Sequence, residues 1–308
     1  MLFPDYGSQF VGMGKELYDH SRLIQEYFEE AFNCLNINFV KLCFASSDSE
    51  LSKIENGYVA IFLISVATAA LLKQENINPV EVAGYGIGEL SAVSVAGGLS
   101  FPDGLYFLHK YAQFYQELLS NLSAAIILVE RLSRETIESL CATLRINHAE
   151  ICIAAYDTPT QFVITGFPES IMHCKELVMS CGGKVTDLPV EKGLHSALMD
   201  SVVDQLVKYL EKIDFTTTVV PLISSLEAQP LTDNNQIKNS IVEQLKSRIV
   251  WSNVVEKCKE WDLIIEIGPG TTLSKIITQA YPEKLFYSIN KLSDIEDLHT
   301  AISNFKIK

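Results

Sequence analysis

The 308-residue chain has no run rich in lysine or arginine, and its 24 basic residues stand against 38 aspartates and glutamates. The formal charge is −14 and the pI about 4.9. Binding to phosphates takes a clustered basic surface, so no nucleic-acid partner is expected and an anionic membrane surface is disfavoured. None of the seven cysteines forms a C-x-x-C pair, and their number is odd. They are expected to be reduced, buried thiols of a cytoplasmic protein. No His/Cys/Asp/Glu cluster has zinc spacing, so no metal site is expected. The longest apolar stretch, Tyr58 to Leu72, is broken by Ser65 and Thr68 and stops at Lys73. That is short of the roughly 18 to 20 residues of a membrane span, and a core helix is expected there. The opening MLFPDYGSQF has no basic segment followed by an apolar one, so no export signal is expected either.

Hydrophobic residues make up 48% and charged residues 20%, the balance of a globule with a sizeable core. Helical periodicity runs through Lys15 to Leu35, and Tyr58 to Leu72 is apolar all round. Val80 to Gly84 predicts a strand that ends in the turn Gly84-Tyr85-Gly86-Ile87-Gly88. Helices are predicted over 89–97 and 103–119. This strand, tight turn and helix is the unit of a parallel α/β sheet. From Ala124 the rhythm shortens to strand 124–129, helix 134–144, strands 151–156 and 161–166, helix 168–181 and strand 184–190. That βαββαβ order is ferredoxin-like. The α/β rhythm then resumes with helix 198–213, strand 219–224, helix 239–246 and strand 263–267, which leads into Gly268-Pro269-Gly270. The expected architecture is one α/β domain over 1–122 and 192–308 with a βαββαβ insertion over 123–191.

The glycine turn is the first candidate site, because open α/β sheets bind ligands at the carboxyl ends of their strands. A dinucleotide fingerprint needs a third glycine where Glu89 stands. A nucleophile elbow, G-x-S-x-G, needs a serine where Gly86 stands. Glycine tolerates the strained turn but supplies no nucleophile. Cys43 and Cys258 fall in no motif, so burial is expected of them rather than nucleophilic duty.

Six blocks, in order, carry a resemblance. They are Phe3-Pro4-Asp5-Tyr6-Gly7-Ser8-Gln9 with Val11-Gly12-Met13-Gly14; Gly84 to Glu89; Val163-Ile164-Thr165-Gly166; Leu188-Pro189-Val190 with His195-Ser196-Ala197-Leu198-Met199; Gln244 seven residues before Trp251; and Glu266-Ile267-Gly268-Pro269-Gly270. Over essentially its whole length the chain resembles the malonyl-CoA:acyl-carrier-protein acyltransferase family of fatty-acid and polyketide synthesis. The motifs matched are F-P-G-Q-G-S-Q, V-G-M-G, G-H-S-x-G-E, V-I-S-G, L-P-V with F-H-S-P-L-M, and the closing signatures. The resemblance implies an α/β-hydrolase-like large subdomain with a parallel sheet, carrying an inserted ferredoxin-like small one. It also implies a serine that takes an acyl group from coenzyme A, a histidine base, and a carrier-protein phosphopantetheine thiol that removes the group.

Against that pattern, Gly86 replaces the nucleophile and Tyr85 the histidine beside it. Tyr6 replaces the oxyanion-side glutamine, Tyr58 a second glutamine, and Tyr111 the arginine that pairs a malonyl carboxylate. The family's A-N-Y-N-S-P-G-Q has become Ala154-Ala155-Tyr156-Asp157-Thr158-Pro159-Thr160-Gln161. His195 remains, and the resemblance implies that the backbone carbonyl of Gln244 orients it. The expected substrate pocket is lined by Tyr6, Tyr58, Tyr85, Ile87, Tyr111 and Ala155. The tyrosines either fill space once used by polar donors or line an aromatic cleft for a ligand; His195 is either a base or a packing residue.

The expectation is a degenerate family member that lacks the serine and acts through binding of a carrier protein or synthase component. Coenzyme A or a phosphopantetheine thioester is its ligand, with none bound covalently. The alternative is an active transferase or thioester hydrolase in which His195 acts as base without an acyl-serine. A basic patch for an acidic carrier protein is sought at Lys110, Lys184 and Lys192.

Overall fold

The computed structural model describes residues 1–146 and 150–305. Its strands are β1 (Leu2–Phe3), β2 (Ala83–Gly84), β3 (Ala125–Glu130), β4 (Ile151–Thr158), β5 (Gln161–Gly166), β6 (Lys184–Leu188), β7 (Leu222–Ile223), β8 (Pro230–Leu231), β9 (Leu263–Ile267) and β10 (Leu285–Ile289). The sheet of the large subdomain runs β10-β9-β1-β2, parallel throughout, with Leu2 opposite Ala83 and Phe3 opposite Gly84. A parallel bridge from Val82 to Leu222 extends it to the small β7-β8 hairpin. Parallel strands covered on both faces need apolar side chains on both. Leu2, Phe3, Ala83, Ile264, Ile265 and Ile267 are accordingly buried.

The second sheet is antiparallel with the order β4-β5-β3-β6. Helices Arg134–Ile146 and Pro168–Ser180 pack on it. Its core is separate, built from Ile127, Val129, Ile137, Phe162, Ile164 and Val178 among others. This is the ferredoxin-like unit expected from the sequence, attached to a parallel α/β sheet. Ala155, just after a bulge in β4, pairs with Val163 of β5 and also bridges in parallel to Ile249 of the large subdomain. Ala155 is thus a junction residue.

Several expected elements differ in extent. The periodic stretch 15–35 is two helices, Lys15–His20 and Arg22–Leu35. Ser21 between them adopts an extended backbone, and its hydroxyl accepts the Ile24 N–H of the second helix. The apolar helix runs Ile54–Gln74, 21 residues, further than its apolar run suggests. It is the one helix among the described residues long and apolar enough to cross a membrane, yet 83% of its apolar window is buried inside the fold. The strands expected at 80–84 and 219–224 shrink to two residues each, because Val80 and Val219 are exposed and only the inner residues find partners. The helix expected at 239–246 starts at Asn234, capped by the Asp233 carboxylate on the Asn235 and Gln236 amides.

Candidate active site

The elbow survives as backbone. β2 ends at Gly84, and Gly86 takes a left-handed φ of 54° before helix Gly88–Val95 begins. The turn is so tight that a Cβ on Gly84 would overlap the backbone of Gly88 and Glu89. His195, itself at φ 43°, faces this turn across a small void. Its Nδ1 lies 2.8 Å from the carbonyl oxygen of Gln244, which can only accept, so Nδ1 carries the hydrogen and Nε2 the lone pair. Burial lowers the histidine's pKa, only partly offset by that hydrogen bond, and favours the neutral ring. Gln244 is fixed in turn by buried Glu89, which accepts from Gln244 Nε2 at 2.6 Å, Ser225 Oγ at 2.6 Å and Ser240 Oγ at 2.8 Å. The histidine is held as a base would be, and its Nε2 has no hydrogen-bond partner.

Asp5 stands where a nucleophile would. A Cβ built on Gly86 falls 2.8 Å from Asp5 Oδ2 and closer still to Oδ1 and Cγ. Asp5 Oδ1 also accepts the Ile87 N–H at 3.1 Å. That N–H follows the central elbow residue, the position that stabilises an oxyanion in elbows of this type. Lys192 Nζ lies 3.5 Å from Asp5 Oδ2 and donates to the Tyr6 carbonyl at 3.1 Å. The sequence reading missed Asp5, although it stands in the opening motif where F-P-G-Q-G has its first glycine.

The four expected pocket tyrosines do not line one aromatic cleft. Tyr6, Tyr58, Tyr111 and Tyr115 form a continuous buried row of edge-on and tilted rings, with successive centroids 5.7, 5.2 and 5.9 Å apart. Three of the hydroxyls are tied to backbone: Tyr6 to the Ser52 carbonyl, Tyr58 to the Glu191 carbonyl at 2.6 Å, and Tyr115 to the Val190 carbonyl. Burial raises all four phenol pKa values, that of Tyr6 to about 12, so none is a candidate base. Tyr85 points elsewhere. Its ring packs on Trp251 at 5.2 Å, and its hydroxyl donates to Asp157 Oδ1 at 2.6 Å.

With Asp5 and the tyrosines in place, the void beside Gly86, lined by Ile87, Tyr111, Lys192, His195 and Gln244, measures about 10 Å³. That is the size of one water. Water attack by way of His195 would need a thioester carbonyl alongside; the void has no room for it, and the elbow's N–H is already taken. A larger cleft of about 490 Å³ opens between the two subdomains, with Asp5, Tyr6, Tyr85, Asp157 and Lys192 at one end and the helix Thr272–Ala280 along a side. Glu266 of the E-I-G-P-G block holds that helix by accepting the Leu273 and Ser274 amides at 2.9 and 3.0 Å.

The family acyl transferase domain matches residues 1–301. The chain belongs to the acyl transferase domain family. It is 30% identical to the malonyl CoA-acyl carrier protein transacylase of Bacillus subtilis, over 99% of this chain and 96% of that one. It is also similar to the solved structure of the malonyl CoA-acyl carrier protein transacylase of Clostridium perfringens, at a TM-score of 0.93 and 25% identity, covering 99% and 97% of the two chains. A third similar structure is a malonyl-transacylase in complex with its type II polyketide acyl-carrier protein. It has a TM-score of 0.92 and 25% identity, covering 99% of this chain and 98% of that one.

In this acyl transferase domain the three lysines sought as a basic patch are each engaged. Lys184 pairs with Glu130 at 2.6 Å, Lys192 pairs with Asp5, and Lys110 donates to Gln113 and lies over the rings of Tyr106 and Tyr209. Cys43 and Cys258 are buried thiols whose pKa values are pushed up to about 12, so neither substitutes as nucleophile. No group of three or more metal-ligating side chains occurs among the described residues.

Proposed function

We propose that this protein is a non-transferring member of the acyl transferase family, one that binds the phosphopantetheine arm of an acyl carrier protein in fatty-acid or polyketide synthesis, in the cytoplasm. The observation that carries the reading is Asp5, whose carboxylate takes both the space of a side chain at position 86 and the Ile87 N–H. A chain with glycine there can form no acyl ester, and an oxyanion would find its donor occupied. The retained cleft and the likeness to a transacylase solved with its carrier protein support binding as the remaining role. In this reading His195 and Gln244 hold the packing around the small void beside Gly86.

Two measurements test it. Intact mass after mixing with malonyl-CoA or acetyl-CoA should be unchanged, and a stable acyl increment on the folded protein would end the proposal. Titration with a carrier protein should give binding to the form bearing phosphopantetheine and weaker binding to the form without it. Equal affinity for the two forms would show that the cleft plays no part.

A further inference from the structure

We infer that the cleft selects the free-thiol form of the phosphopantetheine arm and rejects the same arm once it carries an acyl group. This rests on the binding function just proposed and adds which chemical form is bound.

Space is the first ground. The cleft of about 490 Å³ admits a slender arm, whereas the void beside His195, where an acyl group would lie, is about 10 Å³. Even an acetyl group exceeds it. Hydrogen bonding is the second. A thioester brings a carbonyl oxygen that needs a donor, and the Ile87 N–H already serves Asp5 Oδ1. Asp5 Oδ2 accepts no hydrogen bond and is itself buried, with its ion partner Lys192, a side chain 20% exposed, 3.5 Å away, so a donor from the cleft reaches it as that side chain moves aside. A thiol S–H donates to such an oxygen, whereas a thioester sulfur has no hydrogen to donate. Charge is the third. Asp5 and Asp157 both line this end, and the ammonium of Lys192 already faces Asp5 and the Tyr6 carbonyl. A malonyl carboxylate would arrive beside two acids with the nearby cation engaged. The protein thus distinguishes an unloaded carrier from a loaded one.

Calorimetric titration under reducing conditions with coenzyme A, S-methyl-coenzyme A, acetyl-CoA and malonyl-CoA tests this. Coenzyme A should bind about tenfold or more tightly than acetyl-CoA, the worth of one hydrogen bond to a charged acceptor. S-methyl-coenzyme A has neither the S–H nor a carbonyl and should fall between coenzyme A and acetyl-CoA, with malonyl-CoA weakest. Asp5→Asn keeps the shape and removes the charge, and should cut the preference for coenzyme A several-fold. Asp5→Gly should abolish it, with thermal unfolding and retained coenzyme A binding reporting that the fold is intact. If all four ligands bind equally, the selectivity is wrong while the binding function stands. If an acyl-CoA binds more tightly than coenzyme A, the selectivity is reversed. If no form binds, and a carrier protein bearing phosphopantetheine does not bind either, both proposals fail together.

Discussion

At the scale of single residues, the carboxylate of Asp5 and the glycine at 86 are two halves of one arrangement. Gly86→Ser puts a Cβ into Asp5 and asks serine to hold a φ of 54°. It should therefore cost about 1–3 kcal/mol of stability, seen in denaturant unfolding, and give no acyl increment by intact mass. Asp5→Gly with Gly86→Ser removes the collision and should recover most of that stability. The double variant should acylate at most slowly, because Tyr6, Tyr58 and Tyr111 still fill the remaining space. Asp157 carries a pH signature. Burial pushes its carboxyl from 3.8 up to about 6, against the smaller opposing effects of the Tyr85 hydroxyl and Lys192. A raised acid pKa means that the folded state binds the proton more tightly, so the group costs nothing below about pH 4 and its full penalty, about 3 kcal/mol, above pH 6. Asp157→Asn should match the parent at pH 4 and gain stability progressively to pH 6.5, then level off. Thermal unfolding across that range checks it, and a gain that is equal at every pH would contradict the burial argument.

At the scale of elements, the segment Pro189–Gly193, which connects β6 to the histidine, is held from below by tyrosine hydroxyls on the carbonyls of Val190 and Glu191 and by Lys192 on Asp5 and the Tyr6 carbonyl. Each neutral bond is worth about 1 kcal/mol. Tyr58→Phe and Tyr115→Phe together should leave the core intact but raise amide exchange at Lys192 and Gly193, whose N–H groups donate to the Pro189 and Val190 carbonyls of this turn. Hydrogen exchange confined to that peptide is the expected result, and unchanged protection would show that the hydroxyls do not hold it. Legibility from sequence follows the same scale. The βαββαβ order was readable because its alternating apolar runs are long and its helices amphipathic. The two-residue strand β1 was not legible, and β2 was expected over 80–84 and proved shorter, because the pairing of both depends on neighbours more than 80 residues away. His195, Gly86 and Gln244 were found through motif spacing. Asp5 lies inside the opening motif without a visible role, because only the fold brings residue 5 against residue 86. For the tyrosines filling and cleft-lining both stayed open, since side-chain type does not say whether a ring faces a cleft or fills it.

At the scale of the whole molecule, the charge of −14 acts before contact is made. With the three candidate lysines engaged in local interactions, an acidic carrier protein is repelled at long range. Its association rate should rise as salt is increased from about 20 to 150 mM, since the screening length shrinks toward about 8 Å. Stopped-flow mixing measures this, and a rate that falls with salt would reveal a basic docking patch. The two subdomains meet around the cleft through the Ala155–Ile249 bridge and the buried Tyr85–Asp157 hydrogen bond. The meeting of Asp5 and Gly86 has a further consequence, for the routes by which the chain can change. Serine introduced first at position 86 collides with the acid; glycine introduced first at position 5 opens a hole that no nucleophile can use. Each single step is a loss or a null, and only the pair gives a serine room on the elbow, so the arrangement works as a ratchet against stepwise change.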